Sequence, residues 1–130
     1  MRGNAPNVLV LDAGDSLLRD RAPGLTSQGK SSVHLMNMMG YDAMALGAGD
    51  LALLGVEGIR QRMQEARFPF LSANAVLTET GALLAQPYLI REVEGRRIAV
   101  IGLTDPVRLP DAEILRDVSL NRMTISPLGE

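Results

Sequence analysis

The chain has 130 residues, of which 46% are hydrophobic and 22% charged, an ordinary composition for one globular domain with its own core. Aromatic residues make up 3% and the formal net charge is −2, so the sequence lacks the stacking platform and the basic surface typical of nucleic-acid and anionic-membrane binders. The absence of cysteine excludes disulfides, thiolate metal sites and cysteine nucleophiles.

We expect neither a membrane span nor a signal peptide within these 130 residues. No apolar run is long enough to span a membrane, and the first seven residues, MRGNAPN, contain no hydrophobic region of a signal peptide. We expect residues 1–7 and about 120–130 to be flexible ends of a single domain that occupies residues 1–130.

The first third of the chain predicts a strand, a loop and a helix. Residues 8–11 are apolar on both faces, as in a strand that is buried in a parallel sheet. A polar loop over residues 19–30 precedes a helix that begins near Ser31. We expect Ser31 or Ser32 to cap this helix, and Gly40 to end it in the left-handed conformation.

Two strands and a second helix occupy the middle of the sequence. Residues 42–47, DAMALG, predict a short strand, and residues 55–66 predict a helix with one apolar stripe. Residues 68–74, FPFLSAN, predict a third strand with a proline near its first residue, where a missing donor is tolerated.

A β-hairpin is predicted over residues 87–103, PYLIREVEGRRIAVIGL, with its turn at Glu94 and Gly95. Its second arm, residues 98–103, is apolar throughout, so we expect that arm at the centre of a sheet. Residues 110–117 predict one or two helical turns, and residues 119–130 predict a strand or a tail.

The order of these elements is strand, helix, strand, helix, strand and hairpin. This order is typical of an α/β protein with a mainly parallel sheet that is flanked by helices. Ligands of such sheets bind at the carboxyl ends of the strands, in the loops that follow them.

Polar side chains lie in these loops. Asp12 and Asp15 follow the first predicted strand, and Asp50 follows the second. Asn74 comes after the third strand, and Thr104 and Asp105 follow the hairpin. Oxygen ligands from several loops suit a hard cation such as Mg²⁺, Ca²⁺ or Mn²⁺. Taken singly, each residue is more often a helix cap or a turn-former.

The sequence lacks the residues that several other common catalytic mechanisms need. The single histidine, His34, lies within the first predicted helix, where we expect a surface or core-edge position. One histidine and no cysteine exclude a zinc site of the usual nitrogen and sulfur type. No G-x-S-x-G elbow, Walker loop or dinucleotide fingerprint is present. Asn37 and Asp42 are expected to fix the turn between the first helix and the second strand.

Four segments follow one another along the chain: VLVLDAGDSL, HLMNMMGYDAMALGAGDLALLGVEGI, FPFLSANAV and IAVIGLTDP. In this order they resemble the 5′-nucleotidases, which are calcineurin-like metallophosphoesterases. The resemblance covers residues 8 to about 106 and implies the N-terminal half of a catalytic domain with α/β/β/α layers. It therefore implies a partial metallophosphoesterase-like domain.

The resemblance also implies specific site residues. The aspartate of the GD segment bridges two divalent metals in the family, and that residue is Asp15 here. The family motif G-N-H-E/D is replaced by Gly47, Ala48, Gly49 and Asp50, so its amide ligand and its imidazole are absent. The family's D-x-H and G-H-x-H motifs also have no counterpart in these 130 residues.

Three functions stay open from the sequence. The first is a catalytically impaired domain with a residual site for Mn²⁺, Mg²⁺, Ca²⁺ or Zn²⁺. In that site Asp15 is the main ligand, Asp12 and Asn74 are weaker neighbours, and Asp50 either supports the ligands or caps a helix. The second is an active, metal-dependent hydrolase of nucleotides whose other ligands lie outside this chain. The third is a non-catalytic interaction or structural domain.

Partners and location follow from the resemblance alone. It implies a nucleotide or another phosphate ester as ligand, and an exported or cell-surface protein. A half-domain would expose part of its sheet, so we expect either a homodimer or a rearranged sheet edge, with the predicted hairpin as the candidate surface.

Overall fold

The computed structural model describes residues 7–17, 27–106, 109 and 111–115. Predictions for residues 1–6, 18–26 and 116–130, which include most of the expected flexible ends and the terminal strand or tail, lie outside the described residues. The elements in chain order are β1 (Leu11–Asp12), α1 (Lys30–Met39), β2 (Ala43–Ala45), α2 (Ala48–Glu65), β3 (Phe70–Leu71), β4 (Ala75–Leu77), β5 (Tyr88–Val93), β6 (Arg96–Ile101) and β7 (Ala112–Ile114).

Strands β1, β2 and β3 form a parallel sheet in that order, which confirms the predicted α/β class. Successive side chains point to opposite faces of a strand. Met44 and Phe70, which lie opposite each other in β2 and β3, pack into the larger core cluster. Ala43 and Leu71 pack into a second cluster with Leu89 of the hairpin. The parallel sheet therefore lies between a helical layer and the hairpin.

Helix α1 begins one residue before its predicted start and ends where it was predicted to end. Gly29, with φ 83°, is its N-cap and supplies no side-chain hydrogen bond. The prediction that Ser31 or Ser32 caps the helix is wrong, because both serines lie inside the first helical turn. Gly40 ends the helix in the left-handed conformation, with φ 73°. His34 is exposed on this helix.

Helix α2 is longer than the prediction for residues 55–66. It begins at Ala48, and Gly55 interrupts it with φ 69° and ψ 176°. Residues 47–49 are Gly, Ala and Gly, and glycine disfavours helix, so the local sequence predicts a turn there. Within the described residues, no helix combines the length and the apolar character needed to cross a membrane.

The hairpin of β5 and β6 turns at Glu94 and Gly95, whose φ values of 51° and 74° fit the predicted two-residue turn. The expectation that the second arm is central is wrong for the described part of the chain. There β6 pairs with β5 alone, and Ile98 and Ile101 are 38% and 43% exposed. The apolar composition of this strand therefore does not correspond to burial.

Residues 112–114 form strand β7, so the helical turns predicted for residues 110–117 are wrong over this part. β7 pairs antiparallel with β4, and Glu113 lies opposite Val76. Ala112 and Ile114 are buried while Glu113 is exposed, which is the alternation expected of a strand with one buried face. Non-local pairing with β4 has decided the conformation of this segment.

Candidate functional site

The loop after β1 meets the N-terminus of α2 at the carboxyl edge of the parallel sheet. Asp15 lies in this loop with φ 58°, a left-handed conformation that aspartate adopts more readily than most side chains. Its Oδ1 accepts hydrogen bonds from the backbone N–H groups of Gly49, at 2.7 Å, and Asp50, at 3.3 Å. The helix's own N-cap, Gly47, supplies no side-chain cap. Asp15 therefore caps α2 from a distant part of the sequence.

Glycines allow the loop and the helix to approach closely. A Cβ on Gly14 would lie 2.9 Å from the Cα of Gly47, and a Cβ on Gly49 would lie 2.9 Å from Asp15 Oδ1. A Cβ on Gly47 would overlap the backbone nitrogen of Asp15. A side chain at Gly49 and the present position of the Asp15 carboxylate therefore exclude each other.

Asp50 connects the same two segments in the opposite direction. It lies in the first turn of α2, is 2% exposed, and accepts a hydrogen bond through Oδ2 from the backbone N–H of Leu17, at 3.2 Å. Leu17 is itself fully buried in the core beneath the loop. Asp50 thus fixes the position of the loop residue that anchors the loop to the core.

Asp12 shapes the loop that carries Asp15. Its Oδ1 accepts hydrogen bonds from the backbone N–H of Gly14 and from Ser16 Oγ, both at 2.8 Å. Its Oδ2 also lies 2.8 Å from Ser16 Oγ. An aspartate that binds the backbone two residues on is typical of an Asx turn.

Asn74 belongs to a buried polar network behind the sheet edge. Its Nδ2 donates to the carbonyls of Thr104, at 2.8 Å, and Leu115, at 3.1 Å. Its Oδ1 accepts from the backbone N–H of Thr104 at 2.9 Å. Thr104 Oγ1 donates to the carbonyl of Leu46, at 2.8 Å, and lies 2.8 Å from Ser72 Oγ. The network joins the ends of β2 and β3 to the segment after β6.

The predicted structural residues make structural contacts. Asn37 Nδ2 donates to the carbonyl of Glu65 at 3.0 Å, and its Oδ1 accepts from the backbone N–H of Arg67 at 2.7 Å. Asn37 thus joins α1 to the end of α2. Asp42 Oδ2 accepts from the backbone N–H of Val10 at 2.8 Å and ties the start of β2 to the chain that enters β1.

The described residues do not fit the two-metal centre that the resemblance implies. They contain no group of three or more His, Cys, Asp or Glu side chains placed to hold a metal ion. Both oxygens of Asp12, Oδ1 of Asp15 and the amide of Asn74 already take part in hydrogen bonds. Asp15 Oδ2 makes no hydrogen bond within the described part of the chain. Two adjacent cations need several ligands each.

The sequence did not predict three residues that shape the carboxyl edge of the parallel sheet. The roles of Gly14 and Gly47 were not foreseen, nor was that of Ser72, which is fully buried and lies 3.2 Å from Asn74 Oδ1. The available signal was a glycine just after each of two neighbouring parallel strands, since such glycines often permit close backbone approach. Ser72 carried no comparable signal.

Comparisons with known proteins bear on the family and the fold of the chain. No family model matches the chain. It is 38% identical over 111 residues to 5′-nucleotidase of Rattus norvegicus, covering 80% of this chain and 19% of that protein. It is 35% identical over 124 residues to Protein UshA of Salmonella pullorum, covering 88% of this chain and 21% of that protein. The structure of Haemophilus influenzae NAD nucleotidase matches with a TM-score of 0.69 and 27% identity, over 84% of this chain and 23% of that one.

The parallel sheet, its helices and the loops at its carboxyl edge define a metallophosphoesterase-like α/β segment. Within that class, the chain belongs to the 5′-nucleotidase family, as its sequence predicts. It spans about a fifth of the length of the relatives that it matches.

Proposed function

We propose that this chain is a catalytically impaired 5′-nucleotidase-like domain, which does not hydrolyse phosphate esters with its own residues. The observation that supports this proposal is the position of the Asp15 carboxylate. Its Oδ1 is bound to the N-terminus of α2, beside Ala48 and Gly49, which offer no amide ligand and no imidazole. The family resemblance implies that both groups are needed.

The magnitude of the loss favours the same proposal. A positioned proton donor contributes about 10²- to 10⁴-fold to a reaction rate, and a positioned electrostatic group contributes about 10²- to 10³-fold. Loss of both groups lowers the rate by several orders of magnitude. A pair of cations that clamps the attacking and leaving oxygens needs more ligands than the edge offers within the described residues.

We further propose that any residual divalent cation, whether Mn²⁺, Mg²⁺, Ca²⁺ or Zn²⁺, binds through Asp15. Its Oδ2 is the oxygen that a cation can reach without breaking a hydrogen bond of the described residues. Asp12, Asp50 and Asn74 would have to exchange present hydrogen bonds to join it. Hard cations prefer six or more oxygen ligands, so water would complete such a site.

The ligand, the location and the domain extent are proposals that rest on the family. We propose a nucleotide or another phosphate ester as the ligand, because matched relatives are named 5′-nucleotidase and NAD nucleotidase. We also propose an exported or cell-surface location, and one partial domain over residues 1–130.

The test is a thermal-shift titration of the chain with each of the four cations, combined with hydrolysis assays on AMP and p-nitrophenyl phosphate. Asp15→Asn removes the proposed ligand charge, and Glu57→Gln is the matched control, because Glu57 is exposed on α2 and has no described hydrogen bond. We expect no hydrolysis with any cation. A rise in Tm that saturates with cation and needs Asp15 would identify a residual site.

Two other outcomes would each favour one of the alternative functions, an active hydrolase or a non-catalytic domain. Hydrolysis that is lost in Asp15→Asn and kept in Glu57→Gln would overturn the proposal in favour of an active metal-dependent hydrolase. No change of Tm with any cation, together with no hydrolysis, would support impairment of catalysis and would favour a non-catalytic interaction or structural domain.

A further inference from the structure

We infer that Asp15 and Asp50 form a split capping box, a reciprocal pair of carboxylate-to-backbone contacts that fastens the loop after β1 to α2 without a cation. The split capping box comprises the Asp15 carboxylate with the N–H groups of Gly49 and Asp50, and the Asp50 carboxylate with the N–H of Leu17. The inference concerns folding and goes beyond the proposed function, because it holds whether or not the chain hydrolyses an ester.

The first half of the box occupies the positions that an N-cap side chain serves. Gly47 is the N-cap of α2, so Gly49 and Asp50 are its second and third helical residues. An N-cap side chain accepts from the N–H groups of those two positions. Because glycine has no side chain to do this, Asp15 supplies the acceptor from the neighbouring loop, at 2.7 and 3.3 Å.

The second half mirrors the acidic residue of an ordinary capping box. In that motif the acidic side chain at the third helical position reaches back to the N–H of the N-cap residue. Asp50 holds this position, but it accepts from Leu17, two residues after Asp15, at 3.2 Å. The capping residue, Asp15, and the N–H group that Asp50 binds, that of Leu17, therefore both lie in the loop instead of the helix. The split capping box thus joins two segments that are distant in the sequence.

Backbone conformation and sterics indicate that the carboxylate is required at this place. Asp15 keeps a left-handed φ of 58°, which costs free energy in any residue with a side chain. Residue 49 is glycine, although alanine would stabilise the helix at this position. A Cβ there would lie 2.9 Å from Asp15 Oδ1 and 3.3 Å from its Cγ. Both departures from local preference are explained by one contact.

The electrostatics of the split capping box disfavour a cation at Asp15 Oδ1. The N-terminus of a helix carries partial positive charge, which favours a carboxylate and disfavours a cation beside it. A cation on Asp15 Oδ1 would displace the N–H groups of Gly49 and Asp50 from that oxygen. The capping contact of Asp15 therefore accounts for two features together. Residue 49 has no side chain, and the described residues do not form a two-metal site.

The experiment is a set of thermal and urea unfolding curves in EDTA, without phosphate ester, on the full chain. The variants are Asp15→Ala, Asp15→Asn, Gly49→Ala, the double variant of Asp15→Ala with Gly49→Ala, and the charge control Glu57→Gln. We expect Asp15→Ala to lower Tm by about 5 °C, and Asp15→Asn to lower it by less, because asparagine keeps an acceptor oxygen and loses only the charge that strengthens its hydrogen bonds.

The decisive comparison is the sign of the Gly49→Ala effect. We expect this substitution to lower Tm in the wild-type background and to raise it in the Asp15→Ala background, where the helix preference of alanine is no longer opposed. Glu57→Gln should leave Tm unchanged. A rise of Tm of the same size in both backgrounds would overturn the inference, as would an Asp15→Ala variant with wild-type Tm.

If Asp15→Ala does not fold, hydrogen exchange on Asp15→Asn and Asp50→Asn keeps the inference testable. We expect Asp50→Asn to reduce the protection of the Leu17 N–H, and Asp15→Asn to reduce that of the Gly49 N–H. Unchanged protection at both N–H groups would overturn it. Hydrolysis and cation binding do not enter these measurements, so their outcome leaves this result independent of the proposed function.

Discussion

At the scale of single residues, Asn74 illustrates how a sequence candidate acquires a structural role. Its amide makes hydrogen bonds to both backbone groups of Thr104 and to the carbonyl of Leu115, and it is 5% exposed. Buried polar groups are stable only when they are paired, so each partner depends on this amide. The asparagine thus holds the segment after β6 against the end of β3.

Asn74→Ala is expected to lower the free energy of unfolding by about 3 kcal/mol, because it leaves the buried backbone groups of Thr104 without their partner. Urea denaturation at constant m-value measures the loss. The matched control is Asn7→Ala, which removes one exposed hydrogen bond to Glu94 and should change stability by less than about 0.5 kcal/mol. Equal effects of the two substitutions would contradict the structural role of Asn74.

The sequence was informative about which residues lie at the site edge and uninformative about their partners. Asp12, Asp15, Asp50 and Asn74 could be found because each of them follows a predicted strand. Their contacts could not, because the Asp15 carboxylate binds the N–H of Gly49, which lies far along the chain. No local propensity encodes such a contact. The metal-ligand roles of these four residues stay predictions.

At the scale of elements, local turn chemistry was sufficient where it decides the conformation. The hairpin turn at Glu94 and Gly95 and the end of α1 at Gly40 were both predicted from a glycine, which tolerates positive φ. The start of α2 and strand β7 were not, because a distant carboxylate caps the helix and the strand pairs with β4. Long-range contacts decided both of these elements.

The interruption of α2 at Gly55 gives a prediction about the helix as a unit. Its φ of 69° and ψ of 176° lie in a region that is essentially restricted to glycine, although a Cβ there would meet no atom within 4 Å. We therefore expect Gly55→Ala to destabilise the fold by about 1–3 kcal/mol through backbone conformation alone.

Thermal and urea unfolding of Gly55→Ala measure this cost. The control is Gln61→Ala, an exposed substitution on the same helix that should stay within about 0.5 kcal/mol of wild type. Alanine at an ordinary helical position is more stable than glycine by about 1 kcal/mol. An increase in stability for Gly55→Ala would therefore show that α2 is continuous through this residue.

At the scale of the whole molecule, the two faces of the parallel sheet are covered unequally. The helical face carries the larger core, in which the rings of Phe68 and Phe70 stack at 5.8 Å. The other face packs on a smaller cluster of Ala43, Leu71 and Leu89, to which the hairpin contributes. Beyond that cluster the hairpin leaves large apolar side chains exposed. Composition alone had suggested a buried strand, because it does not specify what covers an apolar face.

The exposed side of the hairpin supports the expectation of a homodimer. Ile98, Ile101 and Leu103 are 38%, 43% and 60% exposed, and β6 has no second strand beside it in the described part of the chain. An apolar strand at a sheet edge tends to associate with another chain. We expect the chain to form dimers at micromolar concentration, with each copy contributing its hairpin to an interface of the order of 800 Å² per partner.

Light scattering after size-exclusion chromatography tests this expectation with a matched pair of substitutions. Ile101→Lys places a charge on the hairpin surface, where its desolvation in a dimer would be costly, so the variant should elute as a monomer. Leu53→Lys alters a side chain on α2 that is 69% exposed, and it should leave the dimer intact. A monomeric wild-type chain at all concentrations, or equal loss of the dimer in both variants, would contradict an interface at the hairpin. The two substitutions distinguish the surfaces because a lysine that becomes buried in the dimer interface must lose its hydration, which is costly. A lysine that stays exposed in the dimer does not incur this cost.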